Sequence, residues 1–236
     1  MREAEIKYLI LIGVLSAVSA CAPPAPPAAD NTNAIHASAA PLLPDVPAGE
    51  YKLDKAHASL TFRLSHMGFS NYTAQFKSFD AHLTLDPKNP AVASVTATVD
   101  ARSLDLSGPP KGFLDELRGP DWLDAKQFPE IKFVSKAIAM TAPDAARITG
   151  ELTLHGVTKP ITLDAKFNGG YAGNMYDPNA RIGFSATAVF KRSDFGIAYG
   201  IPAPGTNMGV FDDVSVSIES EFSGPPWKEA PSASPQ

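Results

Sequence analysis

RITGELTLHGVTKPITLDAKF, residues 147–167, decides how the chain folds. Ile148, Gly150, Leu152 and Leu154 fall on one face before its centre, and Ile161, Leu163, Ala165 and Phe167 repeat the pattern after it. Side chains of a strand point alternately to opposite faces, so this period of two predicts two strands, each with one apolar face. The turn around His155-Gly156 is short enough to make them antiparallel neighbours. Pro160 is expected to open the second strand, where a missing N–H costs least.

The same rhythm extends outward in both directions. Leu60, Phe62 and Leu64 alternate with polar residues, as do Ala81, Leu83 and Leu85, and Val95, Ala97, Val99 and Ala101. Ile131 to Met140, then Ile182 to Phe190, then Val214 to Ile218 continue it, so that with the hairpin eight strands are predicted. Asp86-Pro87-Lys88-Asn89-Pro90 punctuates the series as a turn. Only residues 110–127 break the period: Phe113, Leu114, Leu117, Trp122, Leu123 and Ala125 suit one or two short helices interrupted at Gly119-Pro120. An all-β chain of this kind buries its apolar faces as a sandwich or as a closed barrel, and the pattern alone leaves both open.

Leu152-Thr153-Leu154-His155-Gly156-Val157-Thr158-Lys159-Pro160 resembles a signature hairpin of the YceI-like family of bacterial periplasmic lipid-binding proteins. Tyr51-Lys52-Leu53-Asp54 with Ser59, Phe62 to His66, Gln75-Phe76, Leu117-Arg118 with Asp121 to Asp124, Phe128 to Phe133, and Arg192 to Gly196 match in the same order. The resemblance runs from about Tyr51 to Phe222. It implies an eight-stranded antiparallel lipocalin-like barrel with a tunnel for an apolar chain. Leu60, Phe62, Leu64, Phe76, Leu83, Val99 and Phe133 are then expected on the tunnel wall, with Leu152, Leu163, Phe184 and Ala186. Trp122, Tyr176 and Tyr199 are expected at its rim. Gly150, Ala81, Ala97, Ala101, Ala165, Ala186 and Ala188 would leave room that larger side chains would fill.

A buried methylene contributes about 0.8 kcal/mol, whereas association costs on the order of 4 to 15 kcal/mol. The tunnel therefore calls for a long-chain amphiphilic lipid: a polyisoprenoid, a quinone tail or a fatty-acyl derivative. The expected function is binding and shielding of such a chain without catalysis, and no cofactor is expected beyond the lipid. The rival reading is a filled-barrel envelope or stress protein that acts through a membrane partner such as a b-type cytochrome. A homodimer is a further expected assembly.

Enzyme readings fare worse. His57, His66, His82 and His155 are scattered without the close pairs of a zinc motif, so no metal is expected. Ser59, with His66 and Asp54, lacks a strained nucleophile elbow. Arg192, Asp194 and Asp213 read as turn and strand-end hydrogen-bonding residues. A net charge of −5 without a basic stripe excludes nucleic acid.

Residues 1–20 read as a secretory signal: the apolar run from Tyr8 to Ala20 is too short to cross a bilayer core of about 30 Å. Val18-Ser19-Ala20-Cys21 resembles a lipobox, which would make Cys21, the one cysteine, a lipid anchor to the membrane; ordinary cleavage after Ala20 or Ala22 is the alternative. Ala22 after the cysteine leans toward the outer membrane of the cell envelope, with the protein in the periplasm. Residues 21–48 are a Pro/Ala-rich tether, 49–223 the barrel domain and 224–236 a disordered tail.

Overall fold

The alternating runs are strands, and two strands not evident from the period complete the sheet. The computed structural model describes residues 46–227. Among the described residues are ten strands. They are β1 (Gly49–His66), β2 (Ser70–Phe76), β3 (Phe79–Leu85), β4 (Ser94–Asp100) and β5 (Leu104–Leu106), then β6 (Glu130–Ala142), β7 (Ala145–Leu154), β8 (Val157–Tyr171), β9 (Asn179–Lys191) and β10 (Asp213–Pro226). Eight of them, in the order β1-β3-β4-β6-β7-β8-β9-β10, close into an antiparallel barrel because β10 pairs with β1. Closure leaves the barrel without edges.

β2 and β5 form a flap outside this ring. One edge of β1 pairs with β3 over Gly49–Lys52 and with β2 over Thr61–His66. Its other edge follows β10, with a bulge between Leu53 and Ala58. A bulge bends a strand, so β1 lies beside β3 with its first half and beside the flap with its second, while β10 follows both.

The β7–β8 hairpin has the two-residue turn its sequence calls for. His155 and Gly156 both adopt positive φ, 51° and 74°, the type I′ geometry that matches strand twist. Leu154 faces Val157 as the closing pair. Pro160 lies inside β8 rather than at its start, opposite Glu151. N–H direction alternates along an antiparallel strand, and Pro160, an odd three residues beyond Val157 of the closing pair, turns its nitrogen away from β7. The β8–β9 ladder begins only at Asp164 opposite Thr187, so no ladder bond is lost there.

Between β5 and β6 the helical expectation shrinks to α1, Phe113–Leu117, five residues long. Gly119 and Pro120 stop it, and the chain to Phe128 proceeds by turns, with Ala125 N–H on the Arg118 carbonyl at 2.9 Å. At the other terminus the barrel extends past Ser223: β10 reaches Pro226, and Trp227 N–H donates to the Pro178 carbonyl at 2.6 Å. Gly224 is required there, because a Cβ would overlap the ring of fully buried Tyr51. The Tyr51 hydroxyl donates to the Pro47 carbonyl at 2.6 Å, and burial pushes its pKa up to about 12. The signal segment, Cys21 and most of the tether lie outside the described residues.

The β1 bulge is tied to β9, over the intervening β10, by charge. Arg181 Nη1 donates to Asp54 at 2.7 Å and its Nε to Asp177 at 3.0 Å. Hydrogen bonds from His57, the Ala56 N–H and Arg181 hold the Asp54 carboxyl below the usual carboxylate range; for Asp177 the Tyr171 hydroxyl and Arg181 do the same. Because the folded-state pKa is the lower one, this stabilisation is present above the unfolded value of about 4. It disappears as pH falls through the folded value. Melting temperature should therefore drop more steeply on acidification below about pH 4 in the wild type than in Arg181→Met, as calorimetry would show.

Candidate ligand-binding cavity

The inward positions of the barrel strands enclose a cavity of about 590 Å³. We call the end at the β7–β8 turn upper and the end at the β6–β7 turn lower. The wall runs the length of the barrel, from His66, Tyr72, Pro110 and Phe113 above to Pro90, Ala93, Met140 and Asp144 below. Buried side chains pack into one cluster around each end, including Phe195 and Leu104 in the first and Tyr51 and Ile182 in the second. The middle is left open because Ala81, Ala97, Ala165, Ala186 and Ala188 face inward there.

Two small residues do not contribute to this space. The gap above Gly150 is filled by the Phe133 ring, which a Cβ would overlap. Ala101 is buried in the 3-10 turn after β4, off the wall. In both cases the missing volume serves packing of the protein against itself.

Leu60, Phe62, Leu64, Phe76, Leu83, Val99, Trp122, Phe133, Leu152, Leu163, Phe184 and Ala186 lie together on the wall. Tyr176 and Tyr199 do not. Tyr176 is 90% exposed, on a loop folded outward around the Asn174 side chain, which accepts the Tyr176 N–H at 2.8 Å. Tyr199 stands outside the cavity with its ring edge-on to Trp122 at 5.6 Å.

Arg192, read from the sequence as a turn and strand-end hydrogen-bonding residue, is one, and it also belongs to the wall. Continuing the count Phe184, Ala186, Ala188, Phe190 by two reaches Arg192, so its inward direction was legible in the period. Arg192 is 3% exposed. Its guanidinium donates to the carbonyls of Phe211, Ile197, Tyr199 and Val210 at 3.2, 3.0, 2.8 and 2.7 Å and lies 5.0 Å from the centre of the Trp122 ring. Burial lowers its pKa, opposed by Asp212, yet an arginine remains charged. Asp212 is itself committed to Ser193, accepting its N–H at 2.9 Å and its hydroxyl at 2.8 Å.

His155 is structural. Its ring packs edge-on against Phe128 at 4.8 Å, and its Nδ1 is 3.2 Å from the Phe195 carbonyl oxygen. Three separated pieces of sequence, at Phe128, His155 and Phe195, thus meet in one plug at the upper end. Among the described residues no group of acidic, histidine or cysteine side chains has the geometry of a metal site.

The family model described as YceI-like domain matches residues 51–222. The chain belongs to the YceI-like family. A UPF0312 protein of Pseudomonas putida (strain W619) is 38% identical over 174 residues, covering 72% of this chain and 85% of that protein. Burkholderia cenocepacia BcnA, a crystal structure 29% identical in sequence, superposes with a TM-score of 0.60 over 72% of this chain and 98% of its own. A polyisoprenoid binding domain from Saccharophagus degradans, implicated in plant cell wall breakdown, has a TM-score of 0.56 at 14% identity over 76% of this chain and 100% of its own. The last likeness is one of fold alone. The hairpin, Phe128–Phe133 and Arg192–Gly196 pieces that suggested the YceI-like family are the pieces that build the upper plug and its adjoining wall.

Proposed function

We propose that the barrel binds and shields one long-chain amphiphile, a polyisoprenoid, quinone tail or fatty-acyl derivative, in the bacterial cell envelope. The observation that carries this reading is the cavity of about 590 Å³, apolar along nearly its whole wall. A water occupies about 30 Å³ of liquid and a methylene is of similar size, so the space takes roughly twenty carbon atoms. At about 0.8 kcal/mol per methylene, that burial reaches on the order of 16 kcal/mol, enough to offset the cost of association. A short metabolite would not reach it.

The polyisoprenoid-binding description of the Saccharophagus degradans domain favours an isoprenoid chain. The open interior is at odds with a filled barrel. The apolar leader and Cys21 support an envelope location with a lipid anchor. Within this reading no bond is made or broken: the barrel contributes solubility to a molecule that water rejects.

Organic extraction of gently purified protein followed by mass spectrometry is expected to yield one chain-bearing amphiphile per barrel. Repeated recovery of protein without such a molecule, together with failure to take up added isoprenoids, would overturn the reading.

A further inference from the structure

Ten large hydrophobic side chains are exposed among the described residues, and six of them stand at the lower end. Val92 is in the 3-10 turn between β3 and β4, Met140 is near the end of β6 and Tyr171 ends β8. Met175 and Tyr176 follow in the β8–β9 connection, and Trp227 comes just past β10. Val92 is 63% exposed and Met175 75%. Single exposed apolar residues are ordinary, whereas a group gathered at one end of a molecule marks a docking surface.

The cavity reaches the surface at this same end. The β4–β6 ladder stops at Thr96 opposite Val134, and the Val95 N–H turns to the Ser135 hydroxyl at 2.9 Å. β6 nevertheless runs on to Ala142, where its neighbour is the 3-10 turn Pro90–Val92. Pro90, Ala93, Ile138, Met140 and Pro143, all wall residues, border the gap. Met140 lies on the wall and is also 41% exposed, so the cavity opens beside it. Neither flank carries charge: residues 89–99 and 137–143 contain no acidic or basic side chain.

The surface that fits such an end is a lipid bilayer. Tyr171, Tyr176 and Trp227 have amphipathic rings of the kind that settle at the level of lipid head groups. Val92, Met140 and Met175 supply apolar area to sink below them. The chain also enters the barrel here, because Gly49 opens β1 opposite Leu85, the last residue of β3. An anchor on Cys21 would thus reach the domain from its lower side. A net charge of −5 offers no attraction to anionic lipid, so the contact is apolar.

We propose that the lower end docks on a bilayer surface, with Val92 and Met140 in the apolar zone, so that an amphiphile passes between membrane and cavity beside Met140 without crossing water. The passage step rests on the carrier reading; the docking does not.

The first test asks which end meets the lipid. An environment-sensitive fluorophore is attached to the full chain, in a Cys21→Ser background, either at Val92→Cys or at Asn207→Cys, which lies between β9 and β10 at the upper end. With phosphatidylcholine vesicles the lower label should brighten and shift to the blue while the upper label stays unchanged, whatever holds the chain near the vesicle. The shift should persist at high salt, which screens charges alone.

The second test separates docking from binding. cis-Parinaric acid is offered either in vesicle-free solution or in vesicles that carry a quenching lipid. Val92 and Tyr176 are off the wall, so Val92→Glu combined with Tyr176→Glu should bind the free acid as the wild type does. Its uptake from vesicles should be about tenfold slower, because hold on an interface scales with the apolar area buried there.

A lower label that ignores vesicles, an upper label that shifts in its place, or wild-type uptake from vesicles by the double variant overturns the docking and leaves the carrier reading standing. A lower label that shifts on raising protein concentration without vesicles assigns this face to a second copy of the chain and overturns the bilayer. If the wild type takes up no parinaric acid from either source, the carrier reading fails and the passage step with it, while the labels still decide the docking.

Discussion

Replacing Ala97 and Ala186 together by phenylalanine is expected to abolish lipid uptake while the barrel still folds. Ala97 on β4 lies between Ala81 on β3 and Phe133 on β6 in the sheet; Ala186 on β9 lies between Ala165 on β8 and Ile218 on β10. Both are wall residues on separate sides of the ring. Two phenyl rings directed inward occupy space that the ligand's chain would need. Displacing about five methylenes removes on the order of 4 kcal/mol of burial, a loss of several hundred-fold or more in affinity. Overpacking usually costs about 1–3 kcal/mol per site, and the open volume absorbs part of it here. The expected result is a folded protein by circular dichroism that carries no extractable amphiphile and leaves a hydrophobic fluorophore undimmed and undisplaced. Wild-type uptake by this double variant would place the lipid site elsewhere.

Arg192→Ala is expected to have the largest effect on stability. Four carbonyls, of Ile197, Tyr199, Val210 and Phe211, lose their donor at once. Hydrogen bonds to charged groups contribute about 1.5–3 kcal/mol each, and stranded buried acceptors cost further. Allowing for water entering the vacated site, a net loss of about 4 kcal/mol is expected, a large share of the usual 5–15 kcal/mol. For a domain of this size that is a fall of roughly 8–16 °C in melting temperature. Arg192→Lys should recover only part of it, since one ammonium has three donors and lacks the planar fork. A melting temperature within about 2 °C of wild type for the alanine variant would show that the carbonyls need no cation.

The eight strands were legible because they are long and apolar on one side; closure into a barrel came from the resemblance to the YceI-like family, since the period fits a sandwich equally well. β2 and β5 were not legible: in Ser70–Phe76 the inward Tyr72, Ala74 and Phe76 are outnumbered by polar neighbours, and Leu104–Leu106 is too short to display a period. Helix length at 110–127 was overread because apolar residues that cap a barrel end from irregular turns resemble those of a helical stripe. Wall residues on the eight barrel strands followed from parity once the resemblance had supplied the barrel. Rim residues did not, because loop direction depends on local hydrogen bonds such as the one that Asn174 makes to Tyr176. Arg192 was read as a strand-end hydrogen-bonding residue, which it is; that it also reaches the wall follows from continuing the parity of β9.

The seam between β1 and β10 joins the first strand to the last. A growing chain that lacks its final fourteen-residue strand is an open curl with two raw borders and a wet interior. Ring closure, and with it an enclosed interior, must wait until β10 is in place. A polypeptide shortened by that one strand would be a sticky sheet in place of a vessel.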